Sequence, residues 1–200
     1  MRRPHAPQAT RRVILESAWR LVRRRGFQAT GLNDILADTG LTKGAFYHHF
    51  PTKLALGYAL VEGPLRDYVE TWWVKPLEGS DDPVAGLARI VQERAAEDIP
   101  AMLPLGCPLT NLMAEMALVD EGFRDRLDEL YRLWRKSLSR ALRHGQQRGT
   151  LRGDLDAEPT AAAIIAILQG AFVQAKTTQS MDTFRDCMSG LADYLTQIRR

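Results

Sequence analysis

Apolar residues recur every three or four positions along most of the chain, which is the spacing of one face of an α-helix. In the first such segment Ile14, Ala18, Leu21 and Val22 share a face, and Gly26 follows as the expected C-terminal cap. No period of two, internal repeat or low-complexity segment interrupts this pattern. The sequence therefore predicts an all-α protein of about nine helices.

Glycine, proline and capping residues set the expected helix boundaries. The segment 99–106 contains two prolines and a glycine and is expected to be a loop. The expected helices cover about residues 8–25, 33–39, 43–49, 52–74, 83–98, 108–119, 123–148 and 157–177, with a last helix through 184–198.

The helix expected over 157–177 is apolar on almost every side, and such a helix must be buried on every side. In a chain of this size, that burial favours a four-helix bundle formed with a second copy across a two-fold axis. A central helix inside a monomer is the alternative. The residues expected at the subunit interface lie on the last two helices: Ile165, Leu168, Phe172, Phe184, Met188, Leu191 and Leu195.

Composition and charge narrow the class of protein. Hydrophobic residues make up 45% and charged residues 26% of the 200-residue chain, which is typical of a folded globular protein. Residues 1–53 contain ten Arg or Lys and three acids, a charge of +7, so the other residues sum to 3 − 7 = −4. A basic head on an acidic body indicates a polyanion as partner of the head, with clustered solubility charge as the alternative.

The sequence predicts neither a membrane-spanning nor a secreted protein. The longest strongly apolar run, 161–168, is shorter than the ~18 residues that a membrane span needs, and no apolar signal core follows the basic N-terminus. Two cysteines in a chain of this length do not form a disulfide framework. We therefore expect a cytoplasmic protein with no membrane partner.

Residues 30–53 have the pattern of a helix-turn-helix, in which two short helices flank a Gly-containing turn. The second helix of such a unit lies in the major groove, where small, hydroxyl, basic and aromatic side chains reach phosphates and base edges. Ala45, Phe46 and Phe50 are expected to pack inward. The residues expected to face DNA are Thr42, Lys43, Gly44, Tyr47 and His48.

The run from Gly40 to Phe50, GLTKGAFYHHF, followed by Pro-Thr-Lys53, resembles the TetR family of transcriptional regulators. The resemblance implies an N-terminal DNA-binding domain over 1–53, a ligand-sensing and dimerisation domain over 54–200, and a pseudo-palindromic duplex as operator. Gly31 departs from the family, which usually has Ser or Thr there. For Tyr47 and His48, packing between helices is the alternative role. By resemblance the DNA contacts are Thr30, Thr42, Lys43, Tyr47, His48 and Lys53.

One cysteine stands at an expected helix start. Cys107 lies between Gly106 and Pro108, where the helix dipole and unpaired N–H groups would lower the pKa of a thiol. A small, inert, buried residue is the alternative. The segments 106–115 and 170–176 resemble a NemR-like subset of TetR regulators that respond to electrophiles or oxidants. That resemblance implies Cys107 as the sensing thiol with Lys176 near it, although Lys176 is equally expected as a helix-end residue.

A pocket for an apolar ligand is the other sensing mode that the sequence allows. Glu115 is expected either as a polar group of that pocket or as a cap partner. The same aromatic and sulfur side chains also suit a plain core. The candidate lining residues are Trp72, Trp73, Met113, Tyr131, Trp134 and Phe172.

The sequence contains no convergent set of catalytic residues, so we expect no enzyme, no cofactor and no metal site. His48 and His49 are adjacent and point about 100° apart on a helix, which makes a poor metal pair. A thiol enzyme would need a histidine base placed near Cys107. A carrier of apolar ligands would not need the basic head. The sequence therefore predicts a DNA-binding repressor that is released from its operator when its body binds or reacts with a small molecule, with an activator as the alternative.

Overall fold

The structure, a computed structural model, describes residues 7–96 and 102–200, with the side chains of 93–96 left out. The expected boundaries at 97–101, and Arg2 and Arg3 of the basic head, lie outside the described residues. Within the described ranges the only extended pairing is one isolated bridge, and the all-α prediction is confirmed. The helices are α1 Pro7–Arg25, α2 Leu32–Thr39, α3 Lys43–His49, α4 Lys53–Leu60, α5 Arg66–Val69, α6 Pro83–Ala96, α7 Pro108–Met116, α8 Glu121–Gln147, α9 Ala157–Thr178 and α10 Met181–Gln197.

The helix expected over 52–74 is a helical run with two wide turns. π-Helical turns cover Val61–Leu65, between α4 and α5, and Glu70–Val74, after which a 3₁₀ turn ends the run at Leu77. Pro64 lies in the first wide turn. Because proline has no N–H and its ring collides with the carbonyl four residues earlier, a widened turn accommodates it without ending the helix.

Helix α7 is shorter than expected, since it ends at Met116 and not near residue 119. Asp120 caps the next helix, since its carboxylate accepts the Phe123 N–H at 2.8 Å and α8 begins at Glu121. The turn between the two helices leaves Leu118 fully exposed.

Residue contacts divide the chain into two compact units. The first contains the chain up to Arg66 together with Asn111–Leu127, and the second contains Asp67–Thr110 and Asp128–Arg200. The expected division after residue 53 concerns the end of the DNA-reading segment, and it stays a prediction.

The core of the first unit joins α1, α2, α3 and α4. Its fully buried members are Ile14, Ala18, Ile35, Phe46, Phe50, Leu56 and Leu60. Burying this much apolar surface fixes α3 against the other helices, because each large aliphatic or aromatic side chain contributes roughly 1.5–3 kcal/mol.

In the second unit α9 packs along α10, and the ring centroids of Phe172 and Phe184 lie 5.2 Å apart. By length and composition α9 alone among the described helices could cross a membrane, but core helices of soluble proteins pass the same test. Six of the seven side chains expected at a subunit interface are buried within the single chain, and Met188 is half-buried. Those six are Ile165, Leu168, Phe172, Phe184, Leu191 and Leu195.

Candidate DNA-binding surface and candidate sensing site

The turn between α2 and α3 is fixed by its own backbone. Gly40 adopts a left-handed conformation with φ of 67°, and its N–H donates to the Leu36 carbonyl at 2.9 Å. Two residues later the Thr42 hydroxyl accepts the Ala45 N–H at 3.2 Å and caps α3, as the sequence predicts.

Helix α3 has one buried and one exposed face. Phe46 and Phe50 are buried, which confirms their expected inward packing, and Ala45 is half-buried. The opposite face carries hydroxyl, ammonium, phenol and imidazole groups together with one glycine. Its exposed residues are Thr42, Lys43, Gly44, Tyr47 and His48.

Carboxylates hold α2 against the basic helix α1. Asp38 accepts hydrogen bonds from Ser17 and, at 2.7 Å, from Arg20. The Ser17 bond, followed by the charge of Arg20, holds the pKa of Asp38 below its usual value. Asp34 accepts the Gly31 N–H at 2.8 Å, which is the half of a capping box that does not need a side chain on the N-cap residue.

Two of the expected DNA contacts are occupied within the protein. Thr30 is 1% exposed and its hydroxyl donates to the Gly26 carbonyl at 2.7 Å, so the hydroxyl is not presented at the surface. Lys53 is half-buried, with its Nζ donating to the Gln28 carbonyl at 3.1 Å and lying 4.8 Å from the centre of the Phe27 ring. Burial lowers the pKa of Lys53, and the charges of nearby carboxylates oppose that shift.

Glu115 belongs to the first unit and lies against the turn after α1. Its two carboxylate oxygens accept the N–H groups of Phe27 at 2.8 Å and Gln28 at 2.7 Å. Of the two roles expected for Glu115, the structure therefore supports the cap partner. Sequence reasoning missed Phe27 and Gln28 as its partners because nothing local connects residues that lie 88 and 87 positions apart.

Cys107 lies in the second unit, directly before the first residue of α7, as expected. It follows Gly106, whose φ of 74° turns the chain into the helix, and it is only 3% exposed. Cys187 is half-buried on α10. The structure therefore places the expected sensing thiol inside the protein.

A half-buried phenol lies near that thiol. Tyr131 accepts a hydrogen bond from the side-chain amide of Gln169, a residue that no sequence pattern marks as part of this site. Burial raises the pKa of Tyr131, and the nearby Cys107 raises it further, whereas the Gln169 bond acts in the opposite direction. Tyr131 is therefore a protonated hydrogen-bond donor at neutral pH.

Two buried indoles stack in the same unit. The ring centroids of Trp73 and Trp134 are 5.3 Å apart, and Trp134 lies one helical turn from Tyr131 on α8. Within the described part of the chain the Trp73 Nε1–H meets no hydrogen-bond acceptor, although the residue is only 3% exposed. A buried indole N–H usually has a hydrogen-bond partner, so this donor is a candidate contact for a bound molecule.

The other candidate sensing residues differ in exposure. Trp72 and Met113 are half-buried, while Phe172 is buried against Phe184 as part of the α9–α10 packing. Lys176 is exposed on α9, and its expected proximity to Cys107 stays a prediction. Among the residues searched, which are the described ones, no group of three or more His, Cys, Asp or Glu could hold a metal.

Two family models match the chain. Residues 14–59 match the model described as bacterial regulatory proteins, tetR family, and residues 85–191 match the tetracyclin repressor-like C-terminal domain. The chain is also similar to an HTH-type transcriptional regulator in the lacX 3′ region of Lactococcus lactis subsp. lactis. The two are 30% identical over 179 residues, which is 86% of each chain.

Two further proteins extend the similarity. The HTH-type transcriptional repressor NemR of Escherichia coli K12 is 26% identical over 92% of this chain and 93% of its own length. The crystal structure of its reduced form superposes with a TM-score of 0.81, at 25% identity over 96% and 97% of the two chains. A TetR transcriptional regulator from Chloroflexus aurantiacus J-10-FL gives 0.83, at 28% identity over 97% and 98%.

Proposed function

The chain belongs to the TetR family of bacterial regulatory proteins, and we propose that it is a homodimeric repressor released from its operator by a small molecule. DNA-binding regulation of transcription follows from the family itself. The repressor role is supported by similar proteins that are named repressors. A cytoplasmic location is consistent with binding to operator DNA.

The proposed operator binding is based on the exposed face of α3. Lys43 and Thr42 lie at the start of the helix, where a recognition helix meets the phosphates and base edges. Tyr47 and His48 follow on the exposed surface and supply groups that distinguish bases. In a homodimer two such helices read two half-sites, so the operator is a pseudo-palindrome.

For the inducer we propose a small electrophile, an α,β-unsaturated carbonyl compound, that adds to Cys107. The sulfur forms a bond to the β-carbon, the π electrons of the C=C bond move to the α-carbon, and the proton given up by the thiol ends there. Tyr131, kept protonated by its raised pKa, would donate a hydrogen bond to the carbonyl oxygen. Because Cys107 is buried, only a small reagent would reach it.

The same repressor sensing a non-covalent ligand is the alternative. The stacked Trp73 and Trp134 offer an apolar surface, and the unmatched Trp73 N–H would favour a ligand with one acceptor atom. The family and the exposed basic and aromatic groups of α3 both argue against the carrier without a DNA function that the sequence left open.

Release from DNA by N-ethylmaleimide tests the covalent proposal. The complex of protein and labelled operator is treated with the reagent while fluorescence anisotropy is followed, with Cys107→Ser and Cys187→Ser as matched variants. We expect the wild type and Cys187→Ser to release DNA and Cys107→Ser to bind DNA but ignore the reagent. If Cys107→Ser releases DNA like the wild type, the covalent proposal is wrong and the non-covalent one replaces it.

A further inference from the structure

Two charged side chains hold the short turn between α1 and α2 at Phe27 and Gln28. The Glu115 carboxylate accepts the N–H groups of Phe27 and Gln28, at 2.8 and 2.7 Å. The Lys53 ammonium donates to the Gln28 carbonyl at 3.1 Å. Hydrogen bonds with a charged partner are roughly twice as strong as those between neutral groups. We call Glu115 and Lys53 together the 27–28 clamp.

The Phe27 side chain allows the clamped turn little freedom. Its ring meets the Phe123 ring edge to face at 4.8 Å, and Lys53 covers it with its ammonium group 4.8 Å from the ring centre. A Cβ atom at Gly57 would lie 2.7 Å from the Phe27 ring, so helix α4 approaches the ring as closely as a glycine permits. A shift of the turn would therefore disturb its contacts with α4, with Glu115 on α7 and with Phe123 on α8.

The turn leads directly into the helix-turn-helix. Thr30 donates to the Gly26 carbonyl at 2.7 Å, and the Gly31 N–H donates to Asp34 at 2.8 Å at the start of α2. Successive residues of the segment from Gly26 to Gly31 are thus tied by hydrogen bonds between the clamp and the start of α2, and α2 packs with α3 in one core. Losing the clamp would loosen the turn that leads into α2, while the shared core keeps α2 and α3 packed together.

We infer that Lys53 and Glu115 are positioning residues for operator binding and that Lys53 does not contact a phosphate. The Lys53 ammonium has a carbonyl, a ring face and nearby carboxylate charge as partners within its own unit. The Gln28 carbonyl engages one of the three ammonium donors and the Phe27 ring covers one side of the group, which leaves less of it for a phosphate than Lys43 offers. Lys43, exposed at the start of α3, has the opposite environment and is the natural phosphate contact. This inference rests on the operator binding proposed above.

The salt dependence of operator binding separates the two kinds of lysine. Each lysine that neutralises a phosphate adds about one to the slope of log affinity against log salt concentration, or about two for both subunits of a dimer. We expect Lys43→Met to reduce that slope. Lys53→Met and Glu115→Gln should lower affinity on the order of tenfold at unchanged slope. Lys136→Met and Glu121→Gln, which alter exposed residues of α8, are the matched controls and should change neither quantity.

Amide hydrogen exchange in the DNA-free protein measures the clamp itself. Glutamine offers a single oxygen where glutamate offers two, so Glu115→Gln should accelerate exchange at Phe27 or Gln28 while Glu121→Gln does not. A role confined to stability would lower the unfolding temperature without changing the affinity of the folded protein, so affinity is measured well below that temperature.

The outcomes divide clearly. If Lys53→Met reduces the salt slope as Lys43→Met does, Lys53 contacts phosphate and the positioning role is overturned. Unchanged affinity or unchanged amide exchange in Glu115→Gln overturns it as well. In both cases the wild type still binds its operator, so the proposed function stands. Absence of any duplex binding by the wild type would overturn the proposed function and this inference together.

Discussion

The rings of Phe46 and Tyr47 meet edge to face with their centroids 5.5 Å apart, yet 1% of Phe46 and 51% of Tyr47 is exposed. Neighbours on a helix point about 100° apart, so one can enter the core while the other stays at the surface. The buried ring anchors α3 and also supports the exposed phenol. Phe46 therefore stabilises the unit, and Tyr47 beside it is exposed for the proposed operator binding.

Substitutions at these two positions should have separable effects. Tyr47→Phe removes only a hydroxyl at the surface, so we expect unchanged stability and an altered order of preference among operator variants. Phe46→Leu should lower stability by about 1–3 kcal/mol and keep the order of preference. Thermal unfolding and a competition assay with single-base operator variants measure the two properties. The same order of preference in wild type and Tyr47→Phe would remove Tyr47 from the base-reading set.

The sequence predicts α3 to the residue, and the reason is that its boundaries are local. Thr42 caps the helix and Gly40 supplies the left-handed turn before it, both within a few positions. The 27–28 clamp was not predictable in the same way, because Glu115 reaches its partners only after the chain has folded. The role of Lys53 likewise depends on a carbonyl 25 positions away.

Gly57 should tolerate no side chain. A Cβ atom there would overlap the rings of Phe27 and Phe123, so Gly57→Ala should cost about 1–3 kcal/mol through overpacking. Gly63 is the matched control, since a Cβ atom at that position meets nothing within 4 Å. We expect thermal unfolding to show a lower midpoint for Gly57→Ala and no loss for Gly63→Ala. Equal midpoints for the two variants would mean that the rings move aside freely.

Acid should weaken one connection between α8 and α9. Glu158 accepts a hydrogen bond from the buried Ser139 at 2.8 Å and one from Arg143, and both hold its pKa below the ordinary 4.5. A lowered folded-state pKa stabilises the protein above the unfolded-state value, and the effect is lost as pH falls through the folded value. Ser139→Ala should therefore be less stable than wild type at pH 7, with a smaller difference near pH 3.

Urea unfolding at several pH values measures this difference, with Ser137→Ala on the same helix as the control. A constant difference between wild type and Ser139→Ala over the whole pH range would show that Glu158 does not cause it.

The proposed homodimer needs a surface that the single chain leaves exposed. Ile165 is 4% exposed within the chain, so Ile165→Asp should unfold the protein rather than divide a dimer. Ala163, Ala166 and Val173 are exposed and Gly170 is half-buried, at helical spacing along the other side of α9. We expect Ala166→Arg to give folded monomers by light scattering and circular dichroism. Dimers that persist in Ala166→Arg would place the interface elsewhere.

At the candidate sensing site the sequence predicts the position of the cysteine but not its burial. The position of Cys107 before α7 followed from the flanking glycine and proline, but its burial depends on packing that no local pattern contains. Gln169 was missed for a similar reason, since a single amide on an apolar helix gives no sign that it meets Tyr131 across the unit.

Selection of binding sites from a random duplex pool, at low salt, tests the central claim most directly. We predict enrichment of one pseudo-palindromic sequence. The wild type should bind it with an affinity that falls steeply with added salt, and at low salt Lys43→Met should bind it more weakly than the wild type. Lys136→Met, altered on α8 and outside the reading helix, should recover the same sequence with the same affinity. Recovery of no preferred sequence, or of one that Lys43→Met binds as tightly as the wild type, would contradict the account.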